Sequence, residues 1–392
     1  MLEGLNGLSG QGSDKRTTAP KESWRPHLEL DADGGYFVSS PRKDEPTDAE
    51  ELLAEFDLSP ADWTVTNVRR SKWQTYHGEW LQSFRVTLTP KGRSVAPDLG
   101  SLEKEISKWR PKAHKPTKGD LTAVYAVGDT QWGKDAGDGT AGTVARVRRA
   151  LEASLQRHNE IKNRGIGQIA LPQLGDCIEG VVSQGGKIAG RLDLDLTSQI
   201  RVGRRVLLEW VKAFAPLTDD LVIPVVPGNH DESHRQLITD PIDSWQIEIV
   251  QQVLDICKEN PALAHVSARM PESDNTTLAV DLSGMIVGFA HGHQIRDPEK
   301  WWAGQALGQT PIGASAEVLI TAHYHHYAVR SLGPRLWIQT PALDGGSFWF
   351  RDRRGLGGPE SWTGIVSLVV GAGYDPRRDL VMLSGEQAER RR

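Results

Sequence analysis

An α/β layered fold is the architecture this sequence predicts, and two observations carry it. From residue 122 onward, β-branched apolar runs alternate with stretches of helical spacing, the pattern of strands joined by helices. Five of those runs end in polar residues, and in layered α/β folds the working groups sit on loops at the strand carboxyl ends. The chain of 392 residues is long enough for one large α/β domain plus a smaller module.

Residues 1–60 are rich in Gly, Ser, Pro, Asp and Lys, with little apolar periodicity before Ala49, and are expected to be mostly flexible. A short helix is expected over 48–56 (DAEELLAEF), with Asp48 as its cap. Residues 61–118 differ in character. Twelve Lys and Arg stand against five acids, interleaved with Trp63, Trp73, Tyr76, Trp80, Phe84 and Trp109. Runs 64–68 and 83–89 alternate like strands, and 101–109 has the spacing of a short helix. A basic surface with aromatic platforms can hold nucleic acid without reading its sequence. The same tryptophans can equally form the core of a small module whose charges are solvated. The stretch 110–119 (RPKAHKPTKG), with two prolines and many cations, reads as a boundary. The expected organisation is therefore a flexible 1–60, a small basic aromatic-bearing module over 61–118, and an α/β domain over 119–392.

Within that domain, 122–127 (TAVYAV) is a buried-strand run ending in Gly128-Asp129, and 143–157 has helical spacing. A second strand over 168–174 ends in Gly175-Asp176, and a long amphipathic helix follows over 194–215. The stretch 222–232 (VIPVVPGNHDE) then breaks at Pro227-Gly228 and delivers Asn229, His230 and Asp231 onto a turn. Strand 285–290 ends in His291-Gly292-His293, and 317–321 ends in Ala322-His323-Tyr324-His325-His326. The tail beyond Leu336, including 365–370 and 380–383, is strand-like and completes a sheet.

Composition excludes several classes. A net charge of −5 predicts neither nucleic-acid nor membrane binding by the chain as a whole. Cys177 and Cys257 make no disulfide framework and suit a reducing compartment. The start (MLEGLNGLSGQG) lacks the basic and apolar segments of a signal peptide, and no run reaches the roughly 18 apolar residues of a membrane span. A soluble cytoplasmic protein with no membrane partner is expected.

A single Gly-Asp after a strand is an ordinary turn signal, and a single His-x-His is ordinary polar pairing. Five polar strand ends in succession are not ordinary, and eight of the twelve histidines fall between residues 230 and 326. Carboxylates, imidazoles and an amide oxygen converging from separate strands make a mixed oxygen and nitrogen shell that suits Mn, Fe or Zn better than Ca. Strand alternation puts the first and third residues of His323-x-His325 on one face.

The motifs GD-x-Q, GD-x-x-E, GNHD, HG and AH-x-H, in that order and spacing, resemble those of the calcineurin-like metallophosphoesterase family over roughly residues 121 to 340. The resemblance implies a four-layer αββα sandwich, here with the small basic N-terminal module, holding two divalent metal ions, with Mn the expected pair. It implies that Asp129, Gln131 and His325 hold the first metal, that Asp176 bridges, and that Asn229, His291 and His323 hold the second. His230 would meet the phosphate without ligating, with Asp231 as its orienting partner. Two departures stand out. Gln131 replaces the histidine usual in the first motif, a neutral but harder and weaker ligand, which predicts a looser first metal. Ala322 replaces a glycine common before H-x-H. His293 and His326 lie beside ligand positions and are expected to support them.

Two cations about 3.5–4 Å apart lower the pKa of a bridging water and orient a phosphoryl group for in-line displacement. Lys187 and Arg191 on the 181–193 rim (VVSQGGKIAGRLD), with His234 and Arg235 beyond GNHD, are candidates to touch phosphate. Trp301, Trp302 and Trp349 can stack on bases or pack in the core. The leading expectation is a phosphodiesterase or nuclease acting on DNA or RNA held partly through 61–118. The alternative is a phosphatase or phosphodiesterase for small molecules or phosphoproteins. A catalytically silent scaffold of the same fold is a third reading, against which the retention of nearly all ligands argues.

Overall fold

The computed structural model describes residues 27–31, 34–46, 48–75, 77–90, 118–182, 186, 192–234, 239–272, 274–346 and 362–385. The chain divides into two compact units, Met1–Pro90 and Lys91–Arg392.

The first unit is built on an antiparallel sheet of β1 (His27–Asp31), β2 (Gly34–Val38), β3 (Trp63–Gln74) and β4 (Trp80–Pro90), in the order β1-β2-β4-β3. Alternate residues of β4, namely Phe84, Val86 and Leu88, turn to one face and pack on Phe37 of β2. Helix α1 (Ala49–Ala54) adds Leu52 and Leu53 to that core, and Asp48 caps it by accepting the Glu51 amide at 2.9 Å. Trp63 packs against this core, whereas Trp80 is 55% exposed with the Lys72 ammonium 5.4 Å from its ring centre. The tryptophans are therefore divided between core and surface.

Within the described part of 1–60, two strands join this sheet and a helix packs on it, where the sequence shows little apolar periodicity. The physical reason is length: β2 has five residues and only one large buried side chain, Phe37, so no period is readable. The expected helix over 101–109 and most of the 110–119 boundary lie outside the described residues.

The second unit holds two sheets. Strands β5 (Leu121–Ala126), β6 (Ile166–Ala170), β7 (Asp220–Pro224) and β8 (Val266–Arg269) run parallel. They are joined in turn by α2 (Gly139–Ile161), α3 (Leu196–Phe214) and α4 (Trp245–Lys258). A second sheet contains β9 (Thr277–Leu282), β10 (Met285–Ala290), β11 (Val318–Thr321), β12 (Ala328–Leu332) and β13 (Arg335–Gln339), in the order β12-β13-β11-β10-β9. Its central strands β10, β11 and β13 are parallel. The chain then returns to the first sheet through β14 (Gly364–Val370), antiparallel beside β5, and β15 (Val381–Ser384).

The two-residue period of β5 sorts its side chains between two cores. Ala123 and Tyr125 join Val147 of α2 and Phe214 of α3, with the Tyr125 and Phe214 ring centres 4.9 Å apart. Val124 and Ala126 instead join Val287 and Phe289 of β10 and Ile320 of β11, so the two sheets share one apolar layer. A further cluster joins Leu319 of β11 to Ile312, Ala316 and Trp302, the last on helix α5 (Pro298–Leu307). Trp302 donates its indole N–H to the Ile312 carbonyl at 2.9 Å, so it packs in the core, and Trp349 lies outside the described residues. Cys177 and Cys257 are buried and free. No described helix is long and apolar enough to cross a membrane.

Candidate metal centre

Glycines let the loops that carry the candidate ligands approach one another. A Cβ on Gly228 would lie 2.1 Å from the Asp176 amide nitrogen and 2.2 Å from its Oδ1, so the loops after β6 and β7 meet at a distance only glycine permits. A Cβ on Gly128 would lie 2.7 Å from Cβ of Ala322, which explains how alanine is accommodated at 322: the facing residue gives up its own side chain. Backbone strain marks the same places. Among the described residues, eight non-glycine residues have positive φ, and five of them are Asp129, Gln131, Asp176, His323 and His325. Each such conformation costs of order 1–3 kcal/mol and persists only where surrounding contacts impose it. Here the contacts are inter-loop hydrogen bonds: Asp129 N–H to Gly175 O at 3.1 Å, Gln131 N–H to Asp176 O at 3.0 Å, and Ala322 N–H to His291 O at 2.7 Å.

The centre has two halves. In one, His291 donates Nδ1–H to the Leu174 carbonyl at 2.8 Å, which turns its Nε2 inward. That Nε2 lies 3.0 Å from Asp176 Oδ2, 3.2 Å from Asn229 Oδ1 and 3.2 Å from His323 Nδ1. Ligand atoms of Asp176, His291 and His323 all fall within 4.8 Å of one another. A single proton on His291 Nε2 can serve only one of these lone-pair groups, whereas a divalent cation can serve them all, so this donor set fits a metal ion. Burial opposes a charge on His291, but the Asp176 carboxylate outweighs it and pushes the imidazole pKa up to about 9. His323 is driven the other way, to about 4, by burial and by the neighbouring His291 charge. Asp176 is buried, yet His291 and His230 hold it ionised well below the usual carboxylate range.

The other half contains Asp129, Gln131 and His325. Asp129 accepts the His323 amide through Oδ2 at 2.8 Å, while its buried Oδ1 makes no hydrogen bond and faces His325 Nε2 at 3.4 Å. Gln131 Oε1 accepts from Lys134 Nζ at 2.7 Å, and its Nε2 lies 3.4 Å from His325 Nε2. Lys134 also pairs with the buried carboxylate of Asp344, whose other oxygen lies 3.3 Å from His325 Nδ1. Burial works against the Lys134 charge, and Asp344, Glu179 and Asp129 outweigh it, so its pKa is raised. Neither Lys134 nor Asp344 was singled out from the sequence. Asp344 had a readable signal, an Asp-Gly-Gly following β13 as Gly-Asp follows β5 and β6.

His230 and Asp231 are placed differently from the expectation. Asp231 is fully buried and accepts the amides of Asp176 at 2.6 Å, Cys177 at 3.0 Å and Gly228 at 3.0 Å, which makes it the brace of the Asp176 loop and not the partner of His230. The reason is geometric: backbone N–H groups of the facing loop converge on its carboxylate. His230 is oriented instead by Glu179, giving Nδ1–H to its carbonyl at 3.1 Å with the Glu179 carboxylate 3.5 Å away. Burial disfavours a charged His230, but Asp176 and Glu179 outweigh it and push its pKa up to about 9. Glu179 is the acid of the GD-x-x-E motif, to which the sequence reading assigned no role.

Of the remaining residues, Lys187, Arg191 and Arg235 lie outside the described residues and His234 is exposed. His293 is exposed, with its ring centre 5.6 Å from that of His291. His326 turns away, donating to the Tyr324 carbonyl at 2.9 Å and accepting from Gln339 at 3.1 Å.

Comparison with known proteins adds little. No family model and no curated protein matches the sequence. Among solved structures, a single mutant of Vps29 from Entamoeba histolytica is 14% identical, with 64% of this chain and 86% of that one covered at a TM-score of 0.31. An archaeal phosphodiesterase is 12% identical, with 67% and 99% covered at 0.31. A predicted phosphoesterase from Streptococcus pneumoniae TIGR4 is 10% identical, with 67% and 98% covered at 0.28. Likenesses of this size assign neither family nor activity.

Proposed function

We propose that the chain is a metal-dependent phosphoesterase with a four-layer αββα metallophosphoesterase sandwich, and that its substrates are phosphodiesters of nucleic acid. The observation that carries the phosphoesterase reading is the meeting of Asp176, Asn229, His291 and His323 from four separate strand ends, with His230 held beside them. Mn is the preferred ion for this mixed oxygen and nitrogen set, with Fe or Zn as substitutes.

A divalent cation held by Asp176, Asn229, His291 and His323 would supply Lewis-acid polarisation of a phosphoryl oxygen and a water more acidic than bulk. The chain's own residues do the rest. His291 is fixed by Leu174 so that its Nε2 stays inward. Asp231 locks the Asp176 loop through backbone amides. His230, with Nδ1 committed to Glu179, keeps Nε2 free to hold a proton for a phosphoryl or leaving oxygen. The nucleic-acid part draws support from the exposed Trp80 with Lys72 over its ring, a stacking and phosphate-binding chemistry.

The test is a panel of single-stranded DNA, duplex DNA, RNA, nucleotides and a generic monoester, incubated with chelator-treated protein and added Mn. Diester hydrolysis restored by Mn is expected. His230→Ala should keep its metal by elemental analysis while losing turnover by about 10²–10⁴-fold. Hydrolysis of the monoester alone would favour the phosphatase alternative, and a metal-free His230→Ala protein would contradict the role given to His230.

A further inference from the structure

The two halves of the centre differ in what already satisfies them. We propose that the centre keeps a single resident divalent cation, held by Asp176, Asn229, His291 and His323, and that the Lys134 ammonium is the fixed positive charge of the half formed by Asp129, Gln131 and His325. This rests on the phosphoesterase reading and refines its metal content from two ions to one.

Three observations point the same way. Lys134 Nζ is a donor only, so the 2.7 Å contact fixes Gln131 with its oxygen toward the ammonium. The Gln131 amide therefore presents its NH₂ to His325, at 3.4 Å, and an amide nitrogen of this kind does not coordinate a cation. The residue standing where the first motif usually has an imidazole thus offers no ligand atom to that half. Second, the ammonium is itself anchored by the buried Asp344, whose remaining oxygen faces His325 Nδ1 at 3.3 Å. Lys134, Asp344 and His325 form one charge-paired string that places an ammonium against Gln131 and Asp344 in the half that contains Asp129. Third, among the described residues no lysine ammonium is paired into the other half, where Asp176 Oδ2, Asn229 Oδ1 and His323 Nδ1 converge on His291 Nε2 at 3.0–3.2 Å. A second divalent cation beside Asp129 would stand against the ammonium with no Gln131 oxygen to offset the repulsion.

The proposal is tested on the full chain by metal content and by electron paramagnetic resonance, with Mn as the only probe. After chelation and titration with Mn, the wild-type protein is expected to retain one ion through gel filtration and to give the six-line spectrum of an isolated ion. The double variant Gln131→His with Lys134→Met should retain two ions with an exchange-coupled spectrum. Lys134→Met alone should tighten the weaker second ion at least ten-fold. Lys134→Arg keeps the charge and should still retain one, which controls for any loss of stability when Asp344 is left without its cation. Wild-type protein that binds two ions with affinities within ten-fold and a coupled spectrum would overturn this inference and leave the phosphoesterase reading standing. Protein that takes up no Mn would overturn both.

Discussion

The two sheets of the larger unit deliver different chemistry to one centre. The six-stranded sheet supplies oxygen donors, Asp129, Asp176 and Asn229, on loops that follow β5, β6 and β7. The five-stranded sheet supplies nitrogen donors, His291, His323 and His325, after β10 and β11. Neither sheet alone carries the set that meets around His291 Nε2. Cross-sheet contacts such as His291 to Asp176 at 3.0 Å, and the His323 amide to Asp129 at 2.8 Å, exist only once the apolar layer between the sheets has formed. The difference teaches that folding and ion binding would be linked here: whatever separates the sheets also dismantles the centre, and an ion bound at the centre would hold the sheets together.

The largest expected effect comes from breaking that link on its oxygen side. Asp176→Ala removes the carboxylate that lies 3.0 Å from His291 Nε2 and leaves a buried imidazole without that counter-charge. Metal affinity and metal-dependent hydrolysis should both fall by about 10³-fold or more, in the range of a lost buried charge partner. Asp176→Ala protein that still binds Mn at wild-type affinity would show that the histidine sheet suffices by itself.

A smaller effect follows from the ion as a clamp. A cation that binds the folded state and not the unfolded one adds roughly 2.7 kcal/mol when present at a hundred times its Kd. Each kcal/mol moves the unfolding midpoint of a domain of 150–250 residues by about 2–4 °C and of a larger unit by less, so chelation should lower it by a few degrees and Mn should restore it. The same chelation applied to Asp176→Ala should leave the midpoint unmoved. An unchanged midpoint in the wild-type protein would break the link between ion and sheet packing.

Much of this was legible in the sequence, for a physical reason. Strands β5, β10 and β11 are short apolar runs with abrupt polar ends, and the candidate ligands follow within a few residues, so Asp129, His291, His323 and His325 announce themselves locally. Asp176 and Asn229 are announced by the glycines beside them, which the close approach of the two loops demands. What was not legible depends on contacts across the chain. Asp231 stands next to His230 in sequence, yet its carboxylate is claimed by amides some 54 residues away, and Glu179 takes the orienting place from 51 residues upstream. Lys134 reads as an ordinary surface cation until Asp344, 210 residues later, is folded against it. Left-handed φ at five candidate ligands is likewise invisible in residue types, because aspartate, glutamine and histidine do not demand it.

The smallest effect separates the centre from the core beneath it and concerns His158 on α2. Its ring lies between Tyr125 and Phe214, with ring centres 6.4 and 6.1 Å away, on the helix side of the six-stranded sheet and away from the layer the two sheets share. Burial in that aromatic setting pushes the imidazole pKa down from 6.5 to about 4. The sign follows directly. The unfolded chain takes up a proton near pH 6.5 that the folded chain refuses until about pH 4, so stability is full above the first value and falls through the window between them. The His158 share of the loss amounts to roughly 2 kcal/mol between about pH 7.5 and about pH 5, and the difference between the wild-type protein and His158→Leu in denaturant unfolding at the two pH values measures it. His158→Leu, which keeps an apolar side chain in the same space, should remove that share of the slope while leaving the Mn-dependent rise of the midpoint intact. A variant that lost both would place the pH sensitivity in the shared layer and not beneath the helices, erasing the distinction between the two faces of the sheet.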